Sequence, residues 1–257
     1  MKISDKLWIW GLDPGADHYG GENALAGSNR MTPIEACDYF SARNIIRVSK
    51  HGYPKRPYDR EADRLSLMDR VVWAVDPEDE AMVSDVIRIA KYHKNIQGIL
   101  LLTDHSHKDF YRRGTHFYES FRKRVKDELG EDFPIWIQVH AMKVCALTKP
   151  YTDTADVLYL CPPTAEECAN LTLYREILDR WTEPGTKQVW GCVFWDFKNR
   201  KIMSSYATRQ YLTTYLDWLK KGDIEGICLY GNTLADTKLG AAFEAKAWAD
   251  VYAKEEL

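Results

Sequence analysis

The sequence predicts a single (β/α)8 barrel, also called a TIM barrel, with residues 1–257 forming one domain. Three observations support this prediction. Eight short apolar runs alternate with helical or loop segments over 257 residues, which is the size of such a barrel. The runs are almost continuously apolar, as expected for parallel strands that are covered on both faces. No GxGxxG turn follows the first run, so a doubly wound open sheet is the less favoured alternative.

The eight apolar runs are the predicted barrel strands. They are rich in β-branched and aromatic residues, as in LWIWGL and QVWGCVFW, which favours strands over helices of the same length. In chain order, the predicted strands cover residues 7–12, 44–49, 71–75, 98–103, 134–139, 156–161, 188–195 and 225–230.

Helical patterns lie between the predicted strands. The first helix begins after Thr32, an N-cap residue, with Pro33 in the first helical position. Thr164 and Glu167 predict a capping box at another helix start. Residues 142–153 are predicted to be mostly loop. The predicted helices cover residues 33–43, 59–69, 78–94, 115–129, 164–182, 207–221 and 239–254.

Composition and charge exclude several functional classes. The net charge of −3 argues against nucleic-acid binding, which needs a basic face. No apolar run reaches 18 residues, so no membrane span is expected. The six cysteines form no CxxC pair, which predicts neither a disulfide framework nor a zinc knuckle, and no cofactor is expected. The first residues do not resemble a signal peptide, so we expect a cytoplasmic protein, or a secreted or periplasmic one whose leader was removed.

Barrels of this kind carry their active sites at the carboxyl ends of the strands. Polar, ionisable and aromatic residues follow most of the predicted strands here. They are Asp13 and His18 after the first strand, His51 after the second, Asp76 after the third, Asp104 and His105 after the fourth, His140 after the fifth, Trp195 and Asp196 at the end of the seventh, and Tyr230 and Asn232 at the end of the eighth.

Two of these residues suggest glycoside hydrolysis. Paired carboxylates on opposite sides of a sugar can cleave a glycosidic bond, one as acid and the other as nucleophile or base. The stretches LLLTDH, with Asp104, and FWDF, with Asp196, resemble the ends of strands four and seven in the clan of retaining (β/α)8 glycoside hydrolases. The resemblance implies that Asp104 is the acid/base and Asp196 the nucleophile or base. That clan has Glu at both positions and commonly Asn where this chain has Thr103. Glu22, in the long segment 13–31, is a further candidate catalytic carboxylate.

The remaining rim residues are predicted to bind a carbohydrate or another small polar substrate. Aromatic rings stack on the apolar faces of sugars, while carboxylates, amides and imidazoles take the hydroxyl groups. The predicted substrate-binding residues are Asp13, His18, His51, His140, Trp195, Tyr230 and Asn232. By contrast, Trp10, Trp73 and Trp136 lie within strands and are predicted to fill the core.

Two alternatives stay open. His51, His105 and His140, with Asp76 or Asp104, offer a mixed nitrogen and oxygen ligand set for a metal-dependent hydrolase, lyase or isomerase. A barrel that binds carbohydrate without cleaving it is the other alternative, because the glutamate pair of the resembling clan is absent. The sugar, the linkage, the anomeric outcome and the oligomeric state are left open by the sequence.

Overall fold

A computed structural model of the chain describes residues 1–12, 32–48, 59–101, 114–139, 144–160, 166, 169–196, 199, 201–230 and 240–257. Its strands are β1 (Leu7–Leu12), β2 (Asn44–Val48), β3 (Arg70–Val75), β4 (Ile96–Leu101), β5 (Ile135–Val139), β6 (Val157–Leu160), β7 (Lys187–Val193), β8 (Trp195–Asp196), β9 (Lys201–Ile202) and β10 (Gly226–Tyr230). Eight of them form a closed parallel barrel in the order β1-β10-β7-β6-β5-β4-β3-β2. The predicted (β/α)8 fold is therefore confirmed.

Helices alternate with the barrel strands. A 3-10 helix, Ile3–Lys6, precedes β1. The α-helices of the described ranges are α1 (Pro33–Phe40), α2 (Asp59–Leu65), α3 (Glu80–Tyr92), α4 (Thr115–Leu129), α5 (Lys149–Thr152), α6 (Leu171–Trp181), α7 (Ser205–Lys221) and α8 (Ala241–Tyr252). None of them has the length and apolar character of a membrane span.

The predicted start of α1 is confirmed in atomic detail. The Glu35 amide donates to the Thr32 hydroxyl at 3.2 Å, and the Thr32 amide donates to the Glu35 carboxylate at 2.7 Å. This reciprocal capping box satisfies two helix-end donors at once. The capping box predicted at Thr164 and Glu167 lies outside the described residues, and the helix that follows them is described from Leu171 onward.

Large aromatic side chains fill the inside of the barrel. Trp8 of β1 meets Trp136 of β5 edge to face, with ring centroids 5.0 Å apart. Two residues further along β1, the ring of Trp10 stacks on that of Tyr159 of β6. Their ring centroids are 4.9 Å apart and the angle between the ring planes is 14°. Because the strands of each pair are not neighbours in the sheet, these contacts cross the barrel interior. Trp10 and Trp136 are 3% and 4% exposed, so their predicted place in the core is confirmed, as is that of Trp73.

Glycines on the neighbouring strands β10 and β4 make room for the rings of Trp8 and Trp136. A Cβ atom on Gly226 would lie 2.8 Å from Trp8 Nε1, and one on Gly98 would lie 2.8 Å from Trp136 Nε1. The barrel therefore pairs its largest residues with its smallest, so that the layers of side chains fit together at close packing.

The amino-terminal end of the barrel is filled by a polar cluster. The Arg70 guanidinium lies 4.9 Å above the Trp8 ring, and its Nε donates to Asn44 Oδ1 at 3.0 Å. The Asn44 amide in turn donates to the carbonyls of Asp5 and Leu7, each at 2.9 Å. These contacts tie the 3-10 helix across the base of the barrel, so a ligand is expected to enter from the carboxyl end of the strands.

Asp156 joins α4 to the starts of β5 and β6. Its carboxylate accepts hydrogen bonds from Arg122, from Lys126 and from the Ile135 amide, each at 2.9 Å. Lys126 is 6% exposed in its side chain and also donates to the carbonyls of Glu131 and Phe133. Burial raises the pKa of Asp156, but the hydrogen bonds and the nearby charges outweigh it, so the pKa lies below the ordinary value of 3.8.

Replacing Asp156 with Asn is expected to lower the free energy of unfolding by about 2 kcal/mol near neutral pH, since it leaves a buried ammonium without its counter-ion. A carboxyl whose pKa is lower in the folded chain stabilises the fold above its unfolded-state pKa, and this contribution is lost as the pH falls through the folded-state pKa. The difference in unfolding free energy between wild type and variant, measured by urea unfolding, should therefore become smaller below pH 3.8. Asp127→Asn, which breaks only the exposed Lys123–Asp127 pair, is the matched control and should change stability little.

Candidate active site

The carboxyl ends of all eight barrel strands form one rim. The last strand residues are Leu12, Val48, Val75, Leu101, Val139, Leu160, Val193 and Tyr230. Each predicted site residue of the rim follows one of these positions or occupies it. A closed parallel barrel therefore gathers these eight strand ends around one opening, which we call the mouth.

Most predicted site residues lie outside the described residues. They are Asp13, His18, Glu22, His51, Asp104, His105, His140 and Asn232. The strand ends that lead to them are described: Asp13 directly follows β1, His140 directly follows β5, and Asp104 comes three residues after β4. The roles proposed for these residues remain predictions.

Asp196 lies beyond the barrel wall. The seventh barrel strand was predicted to run to residue 195, but it ends at Val193. After the buried Phe194, Trp195 and Asp196 form a two-residue antiparallel pair with Ile202 and Lys201. The Met203 amide donates to the Phe194 carbonyl at 3.0 Å and closes this hairpin. The backbone of Asp196 is thus held by β9, directly opposite Lys201.

The strands that lead to Asp104 and Asp196 are separated by two others. Going round the barrel, β5 and β6 lie between β4 and β7 on one side, and four strands lie between them on the other. Residues that follow β4 and β7 therefore start from well-separated points of the rim, with the mouth between them.

The floor of the mouth is aromatic. Trp10 lies two residues before the end of β1, and Tyr159 lies one residue before the end of β6, so their stacked rings are the upper part of the packed interior. Gln138, one residue before the end of β5, is buried beside them in register with Tyr159. Tyr230 is the last residue of β10, in register with Trp10 and Val193. Trp10, Tyr159 and Gln138 are buried and close the barrel interior below the strand ends.

Asp76 follows β3 and shapes the turn that leads into α3. Its carboxylate accepts a hydrogen bond from the Glu78 amide at 2.9 Å, and its carbonyl accepts one from the Asp79 amide at 3.1 Å. Asp79 then caps α3 by accepting from the Met82 amide at 3.0 Å. Asp76 is the member of the alternative metal set that the structure describes. In the described ranges, no three His, Cys, Asp or Glu side chains are grouped in a way that would hold a metal ion.

Arg47 is a buried charge that the sequence analysis did not single out. It lies in β2, its side chain is 1% exposed, and its Nε donates to Glu61 Oε1 of α2 at 2.7 Å. Its Nη1 donates to the carbonyls of Val48, at 2.5 Å, and Gly11, at 3.3 Å. The one signal in the sequence is a lone arginine inside the apolar run NIIRVS.

Comparison with solved structures identifies proteins of the same fold. A chitinase from Rhizomucor miehei has a TM-score of 0.58 and 11% identity, covering 95% of this chain and 99% of its own. A glycoside hydrolase family 17 β-1,3-glucanosyltransferase from the same organism has a TM-score of 0.55 and 11% identity, covering 90% and 87%. A xylanase and α-amylase inhibitor protein from Scadoxus multiflorus has a TM-score of 0.53 and 11% identity, covering 95% and 97%.

Glycoside hydrolases are thus among the structural neighbours of this chain, and the closed eight-stranded parallel barrel is what they share. At these identities the comparison shows the fold alone. No protein-family model matches the sequence, and no curated protein sequence matches it. Any activity at the mouth therefore has to be argued from the chain's own residues.

Proposed function

We propose that this chain is a carbohydrate-acting hydrolase that cleaves a glycosidic bond in the mouth of the barrel. One observation carries the proposal. The ends of β4 and β7, which lead to Asp104 and Asp196, lie on one rim with the mouth between them, above the stacked rings of Trp10 and Tyr159. Two carboxylates on either side of a ligand space are what glycoside hydrolysis requires. The glycoside hydrolases among the structural neighbours are consistent with this activity.

The two carboxylates are proposed to have different roles. A general acid must be protonated before the bond breaks, whereas a nucleophile or base must be ionised. The resemblance of FWDF and LLLTDH to the ends of strands seven and four in the retaining barrel clan supports Asp196 as nucleophile or base and Asp104 as acid/base. Glu22 is the further candidate.

The rest of the rim is proposed to bind the sugar. A pyranose needs a ring to stack on and polar groups for its hydroxyls. The residues assigned to this task are Asp13, His18, His51, His140, Trp195, Tyr230 and Asn232.

A binding barrel without hydrolytic activity is the second candidate. The glutamates of the resembling clan are aspartates here, and a protein described as an inhibitor of xylanase and α-amylase is built on the same fold. In that case the mouth would bind sugar chains and leave them intact.

The test is an assay on aryl glycosides, colloidal chitin and a β-1,3-glucan, each with and without EDTA. Release of reducing sugar that EDTA leaves unchanged is the expected result. Activity that EDTA abolishes and a divalent metal restores would replace the proposal with the metal-dependent alternative. Retention on the polysaccharides without any hydrolysis would favour the binding barrel. If the chain neither hydrolysed nor retained any of these substrates, a carbohydrate function would be contradicted altogether.

A further inference from the structure

We propose that Arg47 is a positioning residue that fixes the exits of β1 and β2 into the mouth. The effect on catalysis rests on the function proposed above, whereas the effect on the two exits does not. Arg47 is not assigned a contact with substrate. It acts through the backbone of the segments that carry Asp13 and His51.

The contacts of Arg47 join two adjacent strand ends. Arg47 and Gly11 are register partners in the β1–β2 ladder, and Val48 is the last residue of β2. Carbonyl groups at the end of a ladder run out of backbone donors and need another partner when buried. The guanidinium supplies donors in a rigid planar fork, so one side chain holds both the Val48 carbonyl and the Gly11 carbonyl.

The same side chain also spans the segment between β2 and α2. Val48 precedes residues 49–58, and Glu61 lies in the first turns of α2, directly after them. By binding Val48 and Glu61 together, Arg47 pins both ends of this segment to one point. His51 lies three residues beyond Val48. The proposed effect of Arg47 on this segment starts from these two anchor points.

The base of segment 13–31 is tied to the same place. Asp13 lies two residues beyond Gly11. Pro33, which opens α1 after the segment, packs so closely on Gly11 that a Cβ atom there would be 2.9 Å from the proline Cβ. The start and the end of the segment thus meet at Gly11, whose carbonyl Arg47 holds.

A buried charge at this position is not expected to be there for stability alone. Its neighbour on the same side of β2, Ile45, and its register partner Trp73 are fully buried and apolar. Taking a guanidinium and a carboxylate out of water is expensive, and apolar residues of similar volume are often at least as stabilising. An arginine that is 1% exposed there points to a role in geometry.

The experiment compares wild type with Arg47→Met, Arg47→Lys and the control Lys6→Met. Lys6→Met removes a half-buried ion pair, Lys6–Glu225 at 2.7 Å, at the amino-terminal end of the barrel. Amide hydrogen exchange is followed by mass spectrometry in segments 13–31, 49–58 and 102–113. Steady-state kinetics on an aryl glycoside give kcat and KM separately.

Arg47→Met is expected to speed exchange in segments 13–31 and 49–58 about tenfold or more, with segment 102–113 unchanged. Its KM should rise by about 10-fold while kcat changes less, because Asp13 and His51 are assigned to substrate binding. Arg47→Lys should recover part of both effects, and Lys6→Met should show neither.

Wild-type exchange and wild-type KM in folded Arg47→Met would overturn the proposal. A wild type that cleaves no glycoside would refute the proposed function, and exchange alone would then decide the role of Arg47. If Arg47→Met does not fold, Arg47→Lys and Glu61→Gln take its place. Exchange that rises equally in all three segments in these variants would refute a specific role at the two exits.

Discussion

Asp104→Asn and Asp196→Asn are each expected to lower kcat on a natural glycoside by about 10³-fold or more, with the barrel still folded. The two variants should differ in their dependence on the leaving group. Without the acid, bond cleavage still proceeds when the leaving group needs no proton, so Asp104→Asn should retain most of its kcat/KM on dinitrophenyl glycosides. Asp196→Asn should be slow on every substrate, because the nucleophile or base is needed whatever departs.

Asp76→Asn is the control for this experiment. It changes another carboxylate at the rim, one that accepts a hydrogen bond from the Glu78 amide in the β3–α3 turn. A glycosidase that uses Asp104 and Asp196 should keep most of its kcat in this variant. A loss in Asp76→Asn that metal addition reverses would favour the metal-dependent alternative. If both Asn variants of the proposed pair kept wild-type kcat, the assignment of the pair would be wrong, and Glu22→Gln would be the next variant to measure.

The fold could be predicted from the sequence because strand and helix signals are local. β1 and α4 have the predicted bounds, 7–12 and 115–129. The error at the end of β7 has a physical cause. Phe194 is as buried as a strand residue, so the apolar run continues through it, although the barrel ladder has already ended at Val193.

Only the location of the candidate site could be predicted from the sequence, not the contacts of its residues. Parallel strands guarantee that the residues after them share a rim, so the mouth could be predicted from topology. Arg47 could not, because its partners Gly11 and Glu61 are 36 and 14 positions away in the chain. The fit between Gly226 and Trp8 was equally invisible, since it pairs residues from the two ends of the sequence.

Gly226→Val is expected to cost more than about 3 kcal/mol of unfolding free energy, because it overpacks a filled barrel. A Cβ atom at this position would lie 2.8 Å from Trp8 Nε1 and also 2.8 Å from the Lys6 carbonyl oxygen. The indole ring can shift or be replaced. The carbonyl belongs to the backbone of the 3-10 helix, next to the chain that Asn44 binds at the barrel base. It has little freedom to withdraw.

Gly98 separates the effect of the indole ring from that of a backbone carbonyl, because the three atoms nearest to its added Cβ all belong to side chains. The nearest atoms to its added Cβ would be Trp136 Nε1 at 2.8 Å, Trp136 Cδ1 at 3.1 Å and Val72 Cγ2 at 3.2 Å. Gly98→Ala alone should cost about 1–3 kcal/mol, and Trp136→Phe should relieve part of that cost by removing the closest atoms. The coupling in a double-mutant cycle should exceed about 1 kcal/mol. The matching cycle of Gly226→Ala with Trp8→Phe should show less relief, since the Lys6 carbonyl stays.

Gly185→Ala is the control for conformation. Nothing lies within 4 Å of an added Cβ there, but φ is +90°, so the cost reflects backbone strain alone. Urea unfolding of all the variants, with their m-values, compares the free energies directly. If Gly226→Val cost no more than Gly185→Ala, close packing against the barrel base would not be what requires a glycine at 226. If the two cycles gave equal coupling, the backbone carbonyl of Lys6 would not be the obstacle. The close packing at the base of the barrel would then come from the aromatic rings alone.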